Sequence, residues 1–336
     1  MRMMIFTEKE IRSCVGLDLE AVRVIEEAFT DLAVSKVITP PIMRIDIEES
    51  NGEVDIKSAY VAGKPFFAIK VSSGFFDNYK LGLPSANGLM MIVSTVTGEP
   101  EALFLDNGYL TEVRTAAAGA VAAKHLAKEE VQAVGIIGTG AQARYQLRAL
   151  QLVRRFEQVL VYGRSPQKVQ AFKEEVEKEL GIEVTACSSP RQVVVSCDIV
   201  VTTTPAKDPI IKADWLHPGL HITAMGSDAE EKQELEAEVL NKADRIICDR
   251  KDQCLRLGEL HHAAEQGDGK TADQAIELGE ITAKRIEGRR SDKDITVCDL
   301  TGTGVQDTAI ALYAYKWLKA QKTSGLIIEN KKISFS

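Results

Sequence analysis

Val131-Gln132-Ala133-Val134-Gly135-Ile136-Ile137-Gly138-Thr139-Gly140-Ala141-Gln142-Ala143 decides how this chain is read. Val131 to Ile137 is an apolar run of single-strand length. It passes directly into a G-x-G-x-x-A loop and then into a polar stretch with helical spacing. In such a loop the first glycine makes the tight turn and the second lets the backbone approach a pyrophosphate. The third small residue, here Ala143, lets the helix pack on the sheet, and a phosphate meets free N–H groups at the positive end of that helix. A second strand, Val159-Leu160-Val161-Tyr162, follows at the expected distance. The strand–loop–helix–strand context favours dinucleotide binding over an incidental glycine turn.

Outward from this loop the rhythm continues. A helix is expected over Pro166 to Leu180, then strands at Val184 to Ala186, Asp198 to Thr204, His221 to Met225, Arg245 to Cys248 and Ile295 to Leu300. Apolar strands alternating with amphipathic helices imply an α/β domain with a Rossmann-type doubly wound parallel sheet over residues 128–304. Upstream, Leu17 to Val34 carries Val22, Ile25 and Phe29 on one helical stripe. After Pro40-Pro41 the pattern alternates, with Ile42, Arg44 and Asp46 facing one way and Met43, Ile45 and Ile47 the other. Val54 to Lys57, Phe66 to Val71 and Leu89 to Thr95 extend this into an antiparallel sheet with one polar face. An alanine-rich helix, Thr111 to Ala127, reads as a packed connector. Residues 1–127 thus form an N-terminal α+β domain, rejoined by a C-terminal helical segment, 305–336, whose helix is expected over Val305 to Ala320.

The 336 residues exceed one ordinary domain, and 6% aromatic residues with ten prolines exclude a low-complexity chain. A net charge of −8 without a basic stripe argues against nucleic acid and anionic membranes as partners. There is no apolar run of membrane-spanning length and no apolar leader before the first charges, so a cytoplasmic enzyme is expected. Six cysteines without a C-x-x-C pair read as reduced core residues. His261-His262 has no evident third ligand in sequence, so packing or surface histidines are expected rather than a metal site. The charged run Glu230 to Glu238 reads as a solvated helix face.

Several residues carry chemistry by type and place. The second strand ends Tyr162-Gly163-Arg164-Ser165, without the acid that usually binds a ribose 2′-hydroxyl. Arg164 and Ser165 suit a 2′-phosphate, which favours NADP(H) or a relaxed NAD(H)/NADP(H) preference; the alternative is a solvated loop arginine. Asp228 follows an apolar strand at the end of the sheet where ligands bind. It suits proton exchange with an amine or imine, or else it caps a following helix. Lys70, inside Phe66-Phe67-Ala68-Ile69-Lys70-Val71, must meet a carboxylate, a carbonyl or a substrate, or snorkel from an edge. Arg44 and Arg114 suit a substrate carboxylate, with surface exposure or pairing to Glu112 or Asp106 as the alternatives. Asp299 to Gly304 either approaches a nicotinamide or caps the last helix.

Taken together, Ala68-Ile69-Lys70, Val113-Arg114-Thr115-Ala116-Ala117, Gly138 to Gln142, Met225-Gly226-Ser227-Asp228 with Lys232-Gln233-Glu234-Leu235, and Asp299 through Gln306-Asp307 resemble the ornithine cyclodeaminase/mu-crystallin family over nearly the whole chain. That family includes archaeal-type alanine dehydrogenase and ketimine reductases. Phe67 to Leu89 looks closest to its ectoine-utilisation, cyclodeaminase-like branch. The resemblance implies a homodimer whose N-terminal domain, residues 1–127, supplies substrate binding and the dimerisation interface, a nicotinamide cofactor, and a small amino or imino acid substrate in an interdomain cleft. It places Arg44, Lys70 and Arg114 on the substrate and makes Asp228, with Lys70, catalytic. It puts Ser85, Arg114, Gly138, Thr139, Gly140, Ala141, Gln142, Arg164, Ser165, Thr204 and Ser227 at the cofactor. Gly163 departs from the Asp of ornithine-type members. The activity expected first is cyclodeamination of a diamino acid. The alternatives are NAD(P)H-dependent reduction of a ketimine or cyclic imine, amino acid dehydrogenation, and a non-catalytic NADP(H)-binding role of mu-crystallin type.

Overall fold

The computed structural model describes residues 2–266, 270–321, 323 and 325–329. The chain opens with β1 (Arg2–Thr7), a short α1 (Glu8–Arg12) and α2 (Leu19–Val34). Asp18 starts α2 by accepting from Ala21 N at 2.8 Å, and Val22, Ile25 and Phe29 are buried along its stripe. Strands β2 (Val37–Ile38), β3 (Met43–Ile47), β4 (Gly52–Val61), β5 (Phe66–Phe75), β6 (Ala86–Ser94) and β7 (Pro100–Leu105) follow, then α3 (Tyr109–Leu126).

The next run is β8 (Ala133–Ile137), α4 (Ala141–Val153), β9 (Gln158–Tyr162), α5 (Pro166–Leu180), β10 (Glu183–Ala186), α6 (Pro190–Ser196), β11 (Ile199–Thr202), β12 (His221–Ala224), α7 (Ala237–Lys242) and β13 (Arg245–Cys248). After α8 (Lys251–Cys254), α9 (Gly258–Gln266), α10 (Lys270–Gln274), β14 (Ile276–Glu277), α11 (Leu278–Thr282) and β15 (Thr296–Asp299), the chain ends its described course in α12 (Gly304–Ala320) and β16 (Leu326–Glu329). Two compact units result. One contains Met1–Gly16, Arg23–Arg114 and the chain from Thr303 onward; the other contains Leu17–Val22 and Thr115–Gly302.

The second unit holds an all-parallel sheet in the order β10-β9-β8-β11-β12-β15-β13-β14. Alternate residues of one strand feed opposite cores. Val134 and Ile136 of β8 join Leu147, Leu150, Phe172 and Val176 from α4 and α5. Ala133 and Ile137 join Val193, Val239, Leu240 and Leu260 from α6, α7 and α9. A sheet buried on both faces needs such runs, which is why they are legible as continuous apolar stretches.

In the first unit the order is β16-β1-β7-β6-β5-β4-β2, with β3 also on β4. The antiparallel expectation needs correcting, because β1 runs parallel to β7 and the sheet is mixed. Neither β1 nor β16 was expected, and the helix expected within 305–336 ends at Ala320; beyond it Leu326–Glu329 is a strand on β1, while 322, 324 and 330–336 lie outside the described residues. In strand β3 the apolar Met43 and Ile45 are on the outer face. Met43 and Ile45 are 57% and 51% exposed, whereas the Arg44 side chain is 19% exposed and packed against acids. Among the described residues no helix is long and apolar enough to cross a membrane.

Helix α12 seats on β4 and β5 through two small residues. A side chain at Gly304 would strike the Ser58 carbonyl, and the Thr308 hydroxyl donates to Ala59 O (2.9 Å) while accepting from Ala68 N (3.0 Å). This fixes the residue before Thr308, Asp307, over the strand that carries Lys70.

Candidate functional site

In the first unit Lys70 and Asp307 are fully buried, with Lys70 Nζ 3.1 Å from Asp307 Oδ2. Arg114 Nε lies 2.9 Å from Asp307 Oδ1, and its Nη1 donates to Gln306 Oε1 at 3.5 Å. Lys70 therefore does not snorkel, and the carboxylate facing Arg114 is Asp307. Strand register sets Lys57, also buried, directly opposite Lys70. Like charges opposed across a ladder repel. Burial first, then the charges of Arg114 and Lys57, bring the Lys70 ammonium down to about 7 against the pull of Asp307. Burial works to raise the Asp307 carboxyl, but the charges of Lys70, Arg114 and Lys57 outweigh it and hold Asp307 below the ordinary carboxylate range.

Arg44 belongs to the same sheet, on β3. Its Nη2 meets Glu53 and its Nε meets Asp46, each at 2.8 Å, and it stands opposite Asp55 in the ladder. Ser85 sits in the exposed stretch before β6, its carbonyl accepting from Phe75 N at 2.7 Å, and it makes no side-chain hydrogen bond among the described residues. The structure joins Lys70 and Arg114 through Asp307, and the ladder sets Arg44, opposite Asp55, on the face that also carries Lys57 and Lys70.

In the second unit the glycine loop has the geometry a pyrophosphate needs. Gly138 takes φ +118°, a left-handed backbone open only to glycine at low cost, and a side chain there would press on Thr203 at 2.6 Å. A Cβ on Gly140 would meet nothing within 4 Å, so the outer face is clear where α4 begins. Ala143 is packed in the core as the motif requires. Arg144, which sequence reasoning passed over, braces the loop from within. Its Nη1 donates to Thr139 O (2.8 Å) and Gly140 O (3.1 Å) while Nε holds Glu175 at 2.6 Å. These residues fit a dinucleotide phosphate.

At the end of β9 a side chain on Gly163 would come within 2.9 Å of Thr139 Cγ2. Arg164 is exposed, with no side-chain hydrogen bond or ion pair among the described residues. Ser165 caps α5, accepting from Lys168 N at 3.3 Å. Gln142 accepts from Gln146 Nε2 at 3.4 Å.

Asp228 lies beyond the end of β12 and does not cap a helix, since the next one, α7, starts only at Ala237. The solvated helix expected over Glu230 to Glu238 is absent too. Most of this segment is irregular, and Lys232, Gln233 and Glu234 are buried. Lys232 Nζ lies 2.8 Å from Asp228 Oδ1. The Glu234 carboxylate accepts from Thr202 Oγ1 (2.5 Å), Gly226 N (2.9 Å), Thr204 N (2.6 Å) and Thr204 Oγ1 (2.7 Å). The Ser227 hydroxyl donates to Lys232 O. Thr204 and Ser227 therefore turn their side chains inward.

Behind this loop, Glu259 accepts from Glu234 N (2.7 Å) and Leu235 N (3.1 Å), and Asp299 accepts from Leu260 N (2.9 Å) at the start of α9. Asp249 accepts from Gly302 N and the Thr301 hydroxyl at 2.7 and 3.0 Å. Burial raises all four carboxyls, Asp299 to about 8, and the mutual repulsion of Glu259, Asp299 and Glu234 raises Glu259 further. Asp299 is thus tied to α9 rather than to α12, whose cap is Thr303 with Gln306. His262 Nε2 donates to Lys232 O at 2.9 Å, and His261 Nε2 lies 3.7 Å from Glu265 on the next turn. All six cysteines are free.

Comparison with known proteins follows the same outline. The model of the ornithine cyclodeaminase/mu-crystallin family matches residues 1–322. An uncharacterised cyclodeaminase of Sinorhizobium fredii is 51% identical over 98% of this chain and 99% of its own. An archaeal alanine dehydrogenase dimer with bound NAD superposes with a TM-score of 0.89 at 34% identity, covering 98% of this chain and 99% of the other. Delta(1)-pyrroline-2-carboxylate reductase of Thermococcus litoralis, in complex with NADH and L-proline, superposes with a TM-score of 0.88 at 31% identity, covering 95% and 98%. On these grounds, with the glycine loop and the Lys70–Asp307–Arg114 group in place, the chain belongs to the ornithine cyclodeaminase/mu-crystallin family.

Proposed function

We propose that the chain is an enzyme that interconverts a small α-amino acid and its α-imino acid by net oxidation or reduction, using NADP(H) or NAD(H). The observation that carries this reading is the buried pair of Lys70 and Arg114, two cations converging on the single carboxylate of Asp307. A substrate carboxylate is held by Lys70 and the forked donors of Arg114. The nicotinamide gives or takes the hydride at the substrate α-carbon. Gly138 to Gln142 hold the pyrophosphate, and Arg164 with the start of α5 receives a ribose 2′-phosphate where one is present. Asp228 is assigned the proton chemistry at the substrate nitrogen. As a carboxylate it stabilises a protonated imine during reduction, and in oxidation it removes the amine proton.

Cyclodeamination is the second reading, favoured by the naming of the Sinorhizobium relative. A diamino acid brings a second ammonium, whereas the buried acids Asp55, Asp106 and Asp307 of the first unit already lie near cations, Asp106 near Lys70. Glu53 is faced by Arg44, Asp307 by Lys70 and Arg114, and Asp55 stands opposite Arg44 and two residues from Lys57. Net redox is therefore placed first. A homodimer is part of the same proposal, in keeping with the archaeal relative, and sedimentation at working concentration tests it.

The deciding assay follows absorbance at 340 nm and free ammonia together. Amino and diamino acids are offered with NAD+ or NADP+, and cyclic and acyclic imino acids with NADH or NADPH. Stoichiometric loss of reduced cofactor with an imino acid supports the first reading. Ammonia release without lasting absorbance change replaces it with the second. Tight cofactor binding without turnover across the panel points to a binding protein. Asp228→Asn is expected to lower turnover by about 10²–10⁴-fold with cofactor affinity retained, the usual yield of general acid–base catalysis.

A further inference from the structure

The stretch from Gly226 to Glu234 closes on itself through three rungs. Glu234 accepts from Gly226 N at 2.9 Å, Ser227 donates to Lys232 O, and Lys232 Nζ holds Asp228 Oδ1 at 2.8 Å. The first rung allows no slack, since a side chain on Gly226 would collide with the Thr204 backbone and lie 2.8 Å from Glu234 Cδ. Glu234 is in turn anchored by Thr202 and Thr204 at the end of β11, and its own backbone N–H by Glu259 of α9. Asp228 thus sits on a loop tied to two parts of the second unit, the end of β11 and α9.

Exposure is unevenly shared inside the pair. The Lys232 side chain is 6% exposed and that of Asp228 37%. The ammonium lies inside and the carboxylate faces outward, the reverse of a surface pair in which a long lysine covers a shorter acid. Glu230 and Glu231 are acids, Glu231 lying 3.9 Å from Lys207, while Glu234 and Glu259 are engaged with backbone donors and His262 binds the Lys232 carbonyl. A buried ammonium that has lost its water is costly unless paired.

We propose that Lys232 is the positioning residue of Asp228: its buried ammonium fixes the direction of the carboxylate and keeps it ionised between turnovers. This deepens the functional reading above and rests on it, because it assigns a proton-handling partner to the residue placed there at the substrate nitrogen. No group is consumed. The proton passes between substrate nitrogen and Asp228, and Lys232 keeps its charge throughout.

Protein carrying ¹³C-carboxyl aspartate allows a direct test, with Asp228→Asn identifying the resonance of Asp228. Lys232→Met is expected to raise the titration midpoint of Asp228 by about one pH unit, as loss of an adjacent cation does, and Lys232→Arg to restore it. Coincident midpoints in wild type and Lys232→Met overturn the proposal. If Lys232→Met loses its near-UV spectrum, the same coupling is read from the other side. In Asp228→Asn the ¹⁵N-labelled Lys232 ammonium then titrates lower than in wild type by a comparable amount, and an unchanged titration overturns the proposal equally. Failure of the underlying reading shows elsewhere, as undiminished turnover of Asp228→Asn in the assay above.

Discussion

Lys70 shows what one residue reveals in sequence and what it conceals. A lysine inside an apolar strand announces that something must answer its charge, and Asp307 does. Lys57 gave no such signal. In Val54-Asp55-Ile56-Lys57 alternation assigns the apolar residues to the core, yet Asp55 and Lys57 are the buried ones. The inward face of β4 changes from charged to apolar only at Ala59, so periodicity read over four residues points outward. With its ammonium brought to about 7, Lys70 is charged below that pH and neutral above it. Carboxylate binding should weaken as pH rises through 7, seen as a rising KM with kcat little changed. Lys70→Arg, which stays charged, should show a flatter KM profile. Parallel profiles for the two proteins would remove Lys70 from the carboxylate site.

At the scale of elements, β8, α4 and β9 were readable because both faces of that sheet are buried and the glycine loop punctuates them. Strand β1 was hidden in an unmarked start, and β16 in a tail expected to be helical. The largest misreading was Glu230 to Glu238, where charge was equated with water. Glu234 is buried because four donors from the ends of two strands converge on it, a long-range fact no local pattern carries. The start of α9 offers a test of these buried acids. Asp299, raised to about 8 by burial foremost, keeps its proton in the native state between its ordinary value near 3.8 and that pH, while the unfolded chain has released it. The native state then binds more protons than the unfolded one, so this residue's contribution to stability falls as pH rises across that window. Asp299→Asn keeps an acceptor for Leu260 N and removes the titration. Its Tm should decline less steeply than that of wild type between pH 6 and 8.5, and equal slopes would show that Asp299 does not hold a proton there.

At the scale of the molecule, the division into two units agrees broadly with the sequence boundaries, but the cut near the middle falls within α3, between Arg114 and Thr115. The first unit is not continuous in the chain. Its sheet lies almost wholly in the first third of the sequence, whereas Asp307 and the rest of α12 come near the end. A chain stopped after Gly302 should keep Lys57, Lys70 and Arg114 but have no carboxylate from α12 to face them. It is expected to lose cooperative unfolding of the first unit, leaving a transition that belongs to the second. A truncated chain with both transitions intact would show that Asp307 is dispensable for assembly.

Thr308 bonds to a strand residue 240 positions earlier. At about 5–20 residues per second of synthesis, that separation is on the order of 10–50 s. During this interval the nascent N-terminal strands leave the ribosome with their cations unanswered, and they must stay open or guarded until the last helix emerges. The order of translation makes the second unit the earlier one to finish. The unit proposed to bind the carboxylate is then a late product, completed only once α12 has been made.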